Sequence, residues 1–279
     1  MTQVRKRSAV ASIMPATVNV RRSYADCRYG QLHVATAYPS GGGFDERTPL
    51  ICLHQAGGSN RSFSPLLPEL GRDRSVYALD LPGHGSSDVA SGSPTIADYA
   101  GAIGDFVTSL RLRTFDLFGV EAGALIAAEI AASRGPQVRR AVLLSIPYSM
   151  QAMRSIAPRE PAGDVVSNVA EEWQRFATTR GANVSMTAMQ SAFADHLRAG
   201  PNGNLLRTAV QDYPVAQRLP LMRLPTLVLC PHDDLREQTL RAKSCLAQGS
   251  LTELGEYGNN ALAGAPLKIA QLTKDFLDR

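Results

Sequence analysis

Glu121 is the centre of Gly119-Val120-Glu121-Ala122-Gly123, a pentad with a glycine two residues to either side of a carboxylate. It follows the apolar run Phe115-Asp116-Leu117-Phe118 and opens the Ala-rich run Ala122 to Ala132, which spells a strand, a turn and a helix. The glycines permit a strained turn that holds the central side chain at a sheet edge, beside a helix N-terminus. A carboxylate there could be a nucleophile or a proton carrier. Three further segments carry groups suited to the same chemistry. The strand Pro49-Leu50-Ile51-Cys52-Leu53 runs into His54-Gln55-Ala56-Gly57-Gly58-Ser59. The strand Ser75 to Asp80 runs into Leu81-Pro82-Gly83-His84-Gly85-Ser86-Ser87-Asp88, and Pro225 to Cys230 runs into Pro231-His232-Asp233-Asp234.

In order and spacing these segments resemble the α/β-hydrolase family, over nearly the whole chain from about Val20 to the C-terminal Ala265-Pro266 and the amphipathic Ile269 to Leu277. The resemblance implies an oxyanion loop at His54, a D-x-P-G-x-G-x-S turn at Asp80 and a nucleophile elbow at Glu121. It implies Asp234, ahead of its neighbour Asp233, as the acid that orients a base, and the amides of Ala56 and Ala122 as oxyanion donors, with His54 and Gln55 shaping the loop.

The chain departs from the family at three points. Family members usually carry serine where Glu121 stands. Their histidine base follows the last strand, here Ser250 to Gly255; counting back from Pro266 places Asn259 in that slot, and an amide neither takes nor gives a proton near neutral pH. Gln55 stands where glycine usually follows the loop histidine, which bears on the backbone shape of the oxyanion loop. No histidine follows His232. His33 belongs to the first hairpin, His54 and His84 to turns common to the family, and His196 to the inserted segment. His232, on the acid's own loop, is the only conceivable substitute base.

Normal Ser-His-Asp acyl transfer is therefore not expected, and Glu121 has three readings. It could be an inert carboxylate gaining roughly 0.3–1 kcal/mol from the helix dipole, the remnant of a catalytic site that now only binds a small molecule. It could attack an alkyl carbon, as the shorter aspartate does in the family's haloalkane dehalogenases and epoxide hydrolases, but those still use the histidine to hydrolyse the ester intermediate. Or it could serve as general acid or base on a small carbonyl compound, with Asn259, Asn260 and the oxyanion donors polarising the carbonyl. The last reading is favoured, a binding protein being the alternative.

Composition bounds the rest. The 279 residues are 44% hydrophobic, enough for one large core, and no apolar run reaches 18 residues. A formal charge of +4 is too small to argue for nucleic acid. Arg5-Lys6-Arg7 and the apolar residues after it break at Pro15 without a persuasive cleavage site, so a cytoplasmic protein is expected. Cys27, Cys52, Cys230 and Cys245 form no C-x-x-C pair and read as free thiols. No metal or cofactor is expected, the partner being a small-molecule substrate or ligand rather than a membrane or nucleic acid; homodimer formation is left open.

The elements that must position these residues alternate between strand and helix, which means a mostly parallel sheet with helices on both faces. A hairpin is expected over Tyr24 to Tyr38, turning at Tyr29-Gly30, then a loop at Pro39 to Gly43. Thr95 to Leu110 is a helix with Ile96, Tyr99, Ile103, Phe106 and Val107 on one face. After the strand Ala141 to Ile146 come helices over Val165 to Thr178, Met186 to Arg198 and Leu205 to Tyr213, matching the family's helical cap. The expected division is a flexible tail at 1–19, a core at 20–146 and 219–279, and a cap at 147–218.

Overall fold

The protein's structure, a computed structural model, describes residues 18–39, 47–148, 165–180 and 184–279. The expected tail lies outside the described residues except for Val18 and Asn19, as do all of the 39–43 loop but Pro39, and cap residues 149–164 and 181–183.

Among the described residues eight strands form one sheet: β1 (Val18–Cys27), β2 (Gly30–Pro39), β3 (Arg47–Leu53), β4 (Arg74–Leu79), β5 (Phe115–Val120), β6 (Val138–Leu144), β7 (Thr226–Pro231) and β8 (Gly249–Leu254). Their order is β1-β2-β4-β3-β5-β6-β7-β8. The pairs β1–β2 and β2–β4 are antiparallel and the rest are parallel. The first hairpin starts earlier than expected, at Val18, and Cys27 pairs with Gly30, so Arg28-Tyr29 make the turn. The sequence hides that start because β1 is an edge strand exposed along most of its length, with no buried face to impose alternation.

The parallel strands read as continuous apolar runs because helices cover both faces. Alternate residues go to opposite cores: Ile51, Leu53 and Leu117 to one, Leu50, Cys52 and Phe118 to the other. The first core is closed by α1 (Ile96–Ser109) and α2 (Ala122–Ser133), the second by α7 (Pro266–Leu277). Thr95 and Asp98 form a capping box that starts α1, and its expected apolar face is buried.

Between β6 and β7 run the longer helices α3 (Val165–Arg180), α4 (Met186–Ala199) and α5 (Pro201–Asp212); α6 (Arg236–Ser244) follows β7. Phe176, Met189 and Phe193 form a small apolar cluster between α3 and α4, so these side chains pack the inserted helices together. Two polar anchors join the insertion to the sheet. Asp195, on α4 and 4% exposed, accepts from Ser59 Oγ at 2.6 Å and from Arg61. Glu129, on α2, accepts from Arg218 Nη2 at 2.6 Å and from Tyr213 Oη at 2.8 Å just after α5. No described helix is long and apolar enough to cross a membrane.

Candidate active site

The turn between β5 and α2 is strained at one residue. Glu121 has φ 49° and ψ −112°, outside the regions that a residue with a Cβ adopts freely. Hydrogen bonds hold it there from both sides: its N–H donates to Leu144 O at 3.0 Å, and its carbonyl accepts from Ala124 N at 2.9 Å. The flanking glycines are demanded by contact. A Cβ on Gly119 would lie 2.3 Å from Gly123 O, and one on Gly123 would lie 2.1 Å from Leu53 O. The result is a half-buried carboxylate at the carboxyl edge of the sheet, at the N-terminus of α2. Its side chain makes no capping hydrogen bond to that helix.

Opposite it, His54 shapes the loop after β3 from behind. The ring is fully buried; Leu81 N donates to Nε2 at 3.0 Å, so Nε2 is the acceptor and Nδ1 carries the proton, donating to Gln55 O at 2.7 Å. Burial holds this imidazole below its ordinary pKa, against the pull of the Asp80 carboxylate. His54 is thus a neutral strut rather than a group facing a ligand. Gln55 O also accepts from Gly58 N at 3.1 Å, closing a turn whose third residue, Gly57, has φ 74°. The Gln55 side chain folds back, Nε2 donating to Ser62 Oγ at 3.3 Å, and fills the space that a Cβ on Gly58 would need. Glycine at 58 thereby accommodates the departure at 55. The amides of Ala56 and Ala122 have no hydrogen-bond acceptor among the described residues.

Asp234 and Asn259 are brought together. Asn259 Nδ2 donates to Asp234 Oδ2 at 3.0 Å, and Asp234 N donates to Asn259 Oδ1 at 3.0 Å. The same amide nitrogen donates to Thr179 O on α3 at 2.6 Å, so Asn259 bridges the acid to the inserted helices. Asp233 turns inward instead, accepting from Ser145 Oγ and from Leu235 N at 3.0 Å; burial raises its pKa. His232 is exposed, and its N–H bonds Tyr257 O at 2.7 Å.

Two residues enter the site from the insertion. Arg207, on α5, lies in the field of the Glu121 carboxylate, and its Nη2 stands 3.4 Å from where a Cβ of Gly57 would be. Burial pushes its guanidinium below the ordinary value, while Glu121 and then Glu172 push it up. His196, on α4, is 3.2 Å from the same point through Nδ1, and its Nε2 is 2.8 Å from Glu172 Oε1. Sequence reasoning passed over Arg207, yet a signal existed. It falls four residues after Gly203 and three before Val210, both buried, and so shares the inward face of α5. An arginine on such a face is a candidate for function. Among the described residues no cluster of His, Cys, Asp and Glu could hold a metal ion.

A profile of the alpha/beta hydrolase fold matches residues 48–234. One relative is the 2-succinyl-6-hydroxy-2,4-cyclohexadiene-1-carboxylate synthase of Pectobacterium atrosepticum, 28% identical over 248 residues, which cover 82% of this chain and 93% of that protein. Another is the (E)-2-((N-methylformamido)methylene)succinate hydrolase of Acinetobacter baylyi, 27% identical over 41% of this chain and 42% of that protein's length. Among solved structures, a hydrolase from Pseudomonas aeruginosa superposes with a TM-score of 0.77 at 20% identity, covering 92% of this chain and 98% of that one. An enol-lactonase from Burkholderia xenovorans gives 0.75 at 16% identity, covering 92% of this chain and 100% of that one.

Proposed function

Since the chain belongs to the α/β-hydrolase fold family, we propose that it acts on a small carbonyl compound by acid–base chemistry centred on Glu121, and not by Ser-His-Asp acyl transfer. The observation that carries this reading is Glu121 itself, a carboxylate held at φ 49° at the N-terminus of α2, with the amides of Ala56 and Ala122 used by no described residue. Strain of this kind costs about 1–3 kcal/mol and persists where the surrounding structure enforces it, most often at working sites.

The roles follow from the geometry. Ala56 N–H and Ala122 N–H would receive the carbonyl oxygen and stabilise the charge that develops on it. Glu121 would take a proton from the neighbouring carbon and return it to the same or another atom. Asp234 and Asn259 would hold the inserted helices over the site in place of an acid–base pair. The relatives' names, a cyclohexadiene-carboxylate synthase, an (N-methylformamido)methylene-succinate hydrolase and an enol-lactonase, accord with small carbonyl-bearing substrates on this fold.

The test needs no natural substrate. Protein in deuterium oxide is incubated with pyruvate, levulinate, butanone and cyclohexanone, and exchange of the α-protons is followed by NMR. Wild type should accelerate exchange of at least one compound over buffer, and Glu121→Gln should lose roughly 10²–10⁴-fold of that acceleration. Exchange equal in wild type and Glu121→Gln would refute the assignment. A second reading, a protein that binds such compounds without turning them over, draws on the bridge from Asn259 to Asp234 and Thr179, which fills the position of a base with a tether. Tight binding with no exchange selects it.

A further inference from the structure

The guanidinium of Arg207 is unusual for a cap residue. It lies on the buried side of α5, and its one hydrogen bond to a described residue goes from Nη1 to the neutral Oδ1 of Asn204 at 2.8 Å. It forms no direct ion pair with any described carboxylate, although the charges of Glu121 and Glu172 both reach it. Nη2 stands 3.4 Å from where a Cβ of Gly57 would be, in the loop after β3 that carries Ala56. The backbone there comes close to α5, a Cβ on Gly203 standing 3.5 Å from Gly57 Cα. His196, held through Nε2 by Glu172, lines the same spot.

We propose that Arg207 is the cation shared between Glu121 and the reacting oxygen, completing the oxyanion site from the cap side. This rests on the acid–base reading and deepens it by naming the charged intermediate as an enolate. In the step, the C–H bond next to the carbonyl breaks and its proton passes to a Glu121 oxygen. The bonding pair forms a carbon–carbon double bond, and the carbonyl π pair moves to the oxygen. Before the step Arg207 compensates the Glu121 carboxylate; afterwards Glu121 is neutral and the same cation compensates the enolate. The same fixed cation faces the negative charge before and after the step, so less reorganisation accompanies the transfer. Return of the proton from Glu121 to the α-carbon, on either face, re-forms the carbonyl and restores the starting pairing. Neutralising Glu121 alone would require no donor directed at the oxyanion loop, and Nη2 stands there.

Binding of 4-nitrophenol tests this apart from turnover. Its phenolate mimics a planar enolate, and visible absorbance reports the ionised fraction on the protein. Wild type should bind the phenolate in preference to the phenol and to the neutral 4-nitroanisole. Arg207→Met should weaken phenolate binding roughly 10–100-fold, the range of one charge-assisted hydrogen bond, with 4-nitroanisole affinity little changed. Arg207→Lys, which keeps the charge, should recover part of the loss, and covers the case in which the Met variant folds poorly. Glu121→Gln should bind the phenolate more tightly than wild type, because the competing carboxylate charge is gone. No preference for the phenolate in wild type, or equal affinities in wild type and Arg207→Met, overturns the proposal. A phenolate preference that depends on Arg207, in a protein without α-proton exchange, would instead leave the shared cation standing and remove Glu121 as the base.

Discussion

Replacing Glu121 by glutamine and by glycine separates charge from strain at the centre of the site. Both variants lose the carboxylate, and with it the roughly 0.3–1 kcal/mol of the α2 dipole and the compensation of Arg207. These losses are common to the two and cancel in their comparison. What differs is the backbone: glutamine must still adopt φ 49°, whereas glycine reaches positive φ without penalty. Relief of a conformation costing about 1–3 kcal/mol, less about 0.5–1 kcal/mol for the extra chain entropy that glycine loses, should make Glu121→Gly more stable than Glu121→Gln by about 0.5–2 kcal/mol. For a chain of 279 residues the unfolding entropy is on the order of 0.6 kcal/mol per degree, so the melting temperatures should differ by roughly 1–3 °C. Calorimetry gives that difference, and urea titration at 25 °C gives the free energy. A Glu121→Gly protein no more stable than Glu121→Gln would mean that the turn carries no strain, and the argument from strain to function would fail.

Three further outcomes are expected. Wild type should show no more than feeble hydrolysis of 4-nitrophenyl acetate, and Glu121→Ser with Asn259→His together should create esterase activity exceeding that of either single change, since nucleophile and base act as a unit; wild-type turnover within about tenfold of a serine α/β-hydrolase would contradict this. Gly123→Ala should cost more than about 3 kcal/mol or prevent soluble expression, because its Cβ would meet Leu53 O at 2.1 Å and His54 O at 2.8 Å, whereas Gly135→Ala, with nothing within 4 Å, should be close to neutral; comparable melts for the two would count against the contact argument. Stability should fall on acidification below pH 6.5. Burial lowers His84 to about 3 and lowers His54 as well, so below 6.5 the unfolded chain binds protons that the folded one refuses; His84 alone contributes a loss of roughly 1 kcal/mol between pH 6.5 and 5.5, and His54 adds in the same direction. Urea titrations across that window that show stability flat or rising would contradict it.

How much of this was legible in the sequence depends on whether a local rule forces the residue. The turn at Glu121 could be read because backbone sterics demand both glycines: one Cβ would strike Gly123 O and the other Leu53 O. The parallel strands and α1 could be read from burial, the strands as unbroken apolar runs and the helix from its periodicity and capping box. The slot of Asn259 came from family spacing alone, but nothing in a chain of letters could show that its amide would reach both Asp234 and Thr179, residues 25 and 80 positions away. The early start of β1 was hidden because an edge strand has no buried face to imprint a pattern. The concern over Gln55 took a single position where the structure needed two, since the larger side chain is received by the absent Cβ of Gly58.

Arg207 is the instructive omission. Counting charges along the inserted segment makes it one more solvated basic residue, whereas the helical spacing Gly203, Arg207, Val210 turns it inward over the loop after β3. Its position also bears on why the serine and the histidine can both be absent while the rest of the site keeps its form. On the proposed reading, a serine nucleophile would need a base on the sheet side, whereas a carboxylate proton carrier would gain from a nearby cation, which Arg207 on α5 would supply. The two anchors of the insertion, Asp195 on Ser59 and Arg61, and Glu129 on Tyr213 and Arg218, flank α5 in sequence and fix its position against the sheet. The catalytic proposal therefore depends on the docking of the insertion as much as on the turn that carries Glu121.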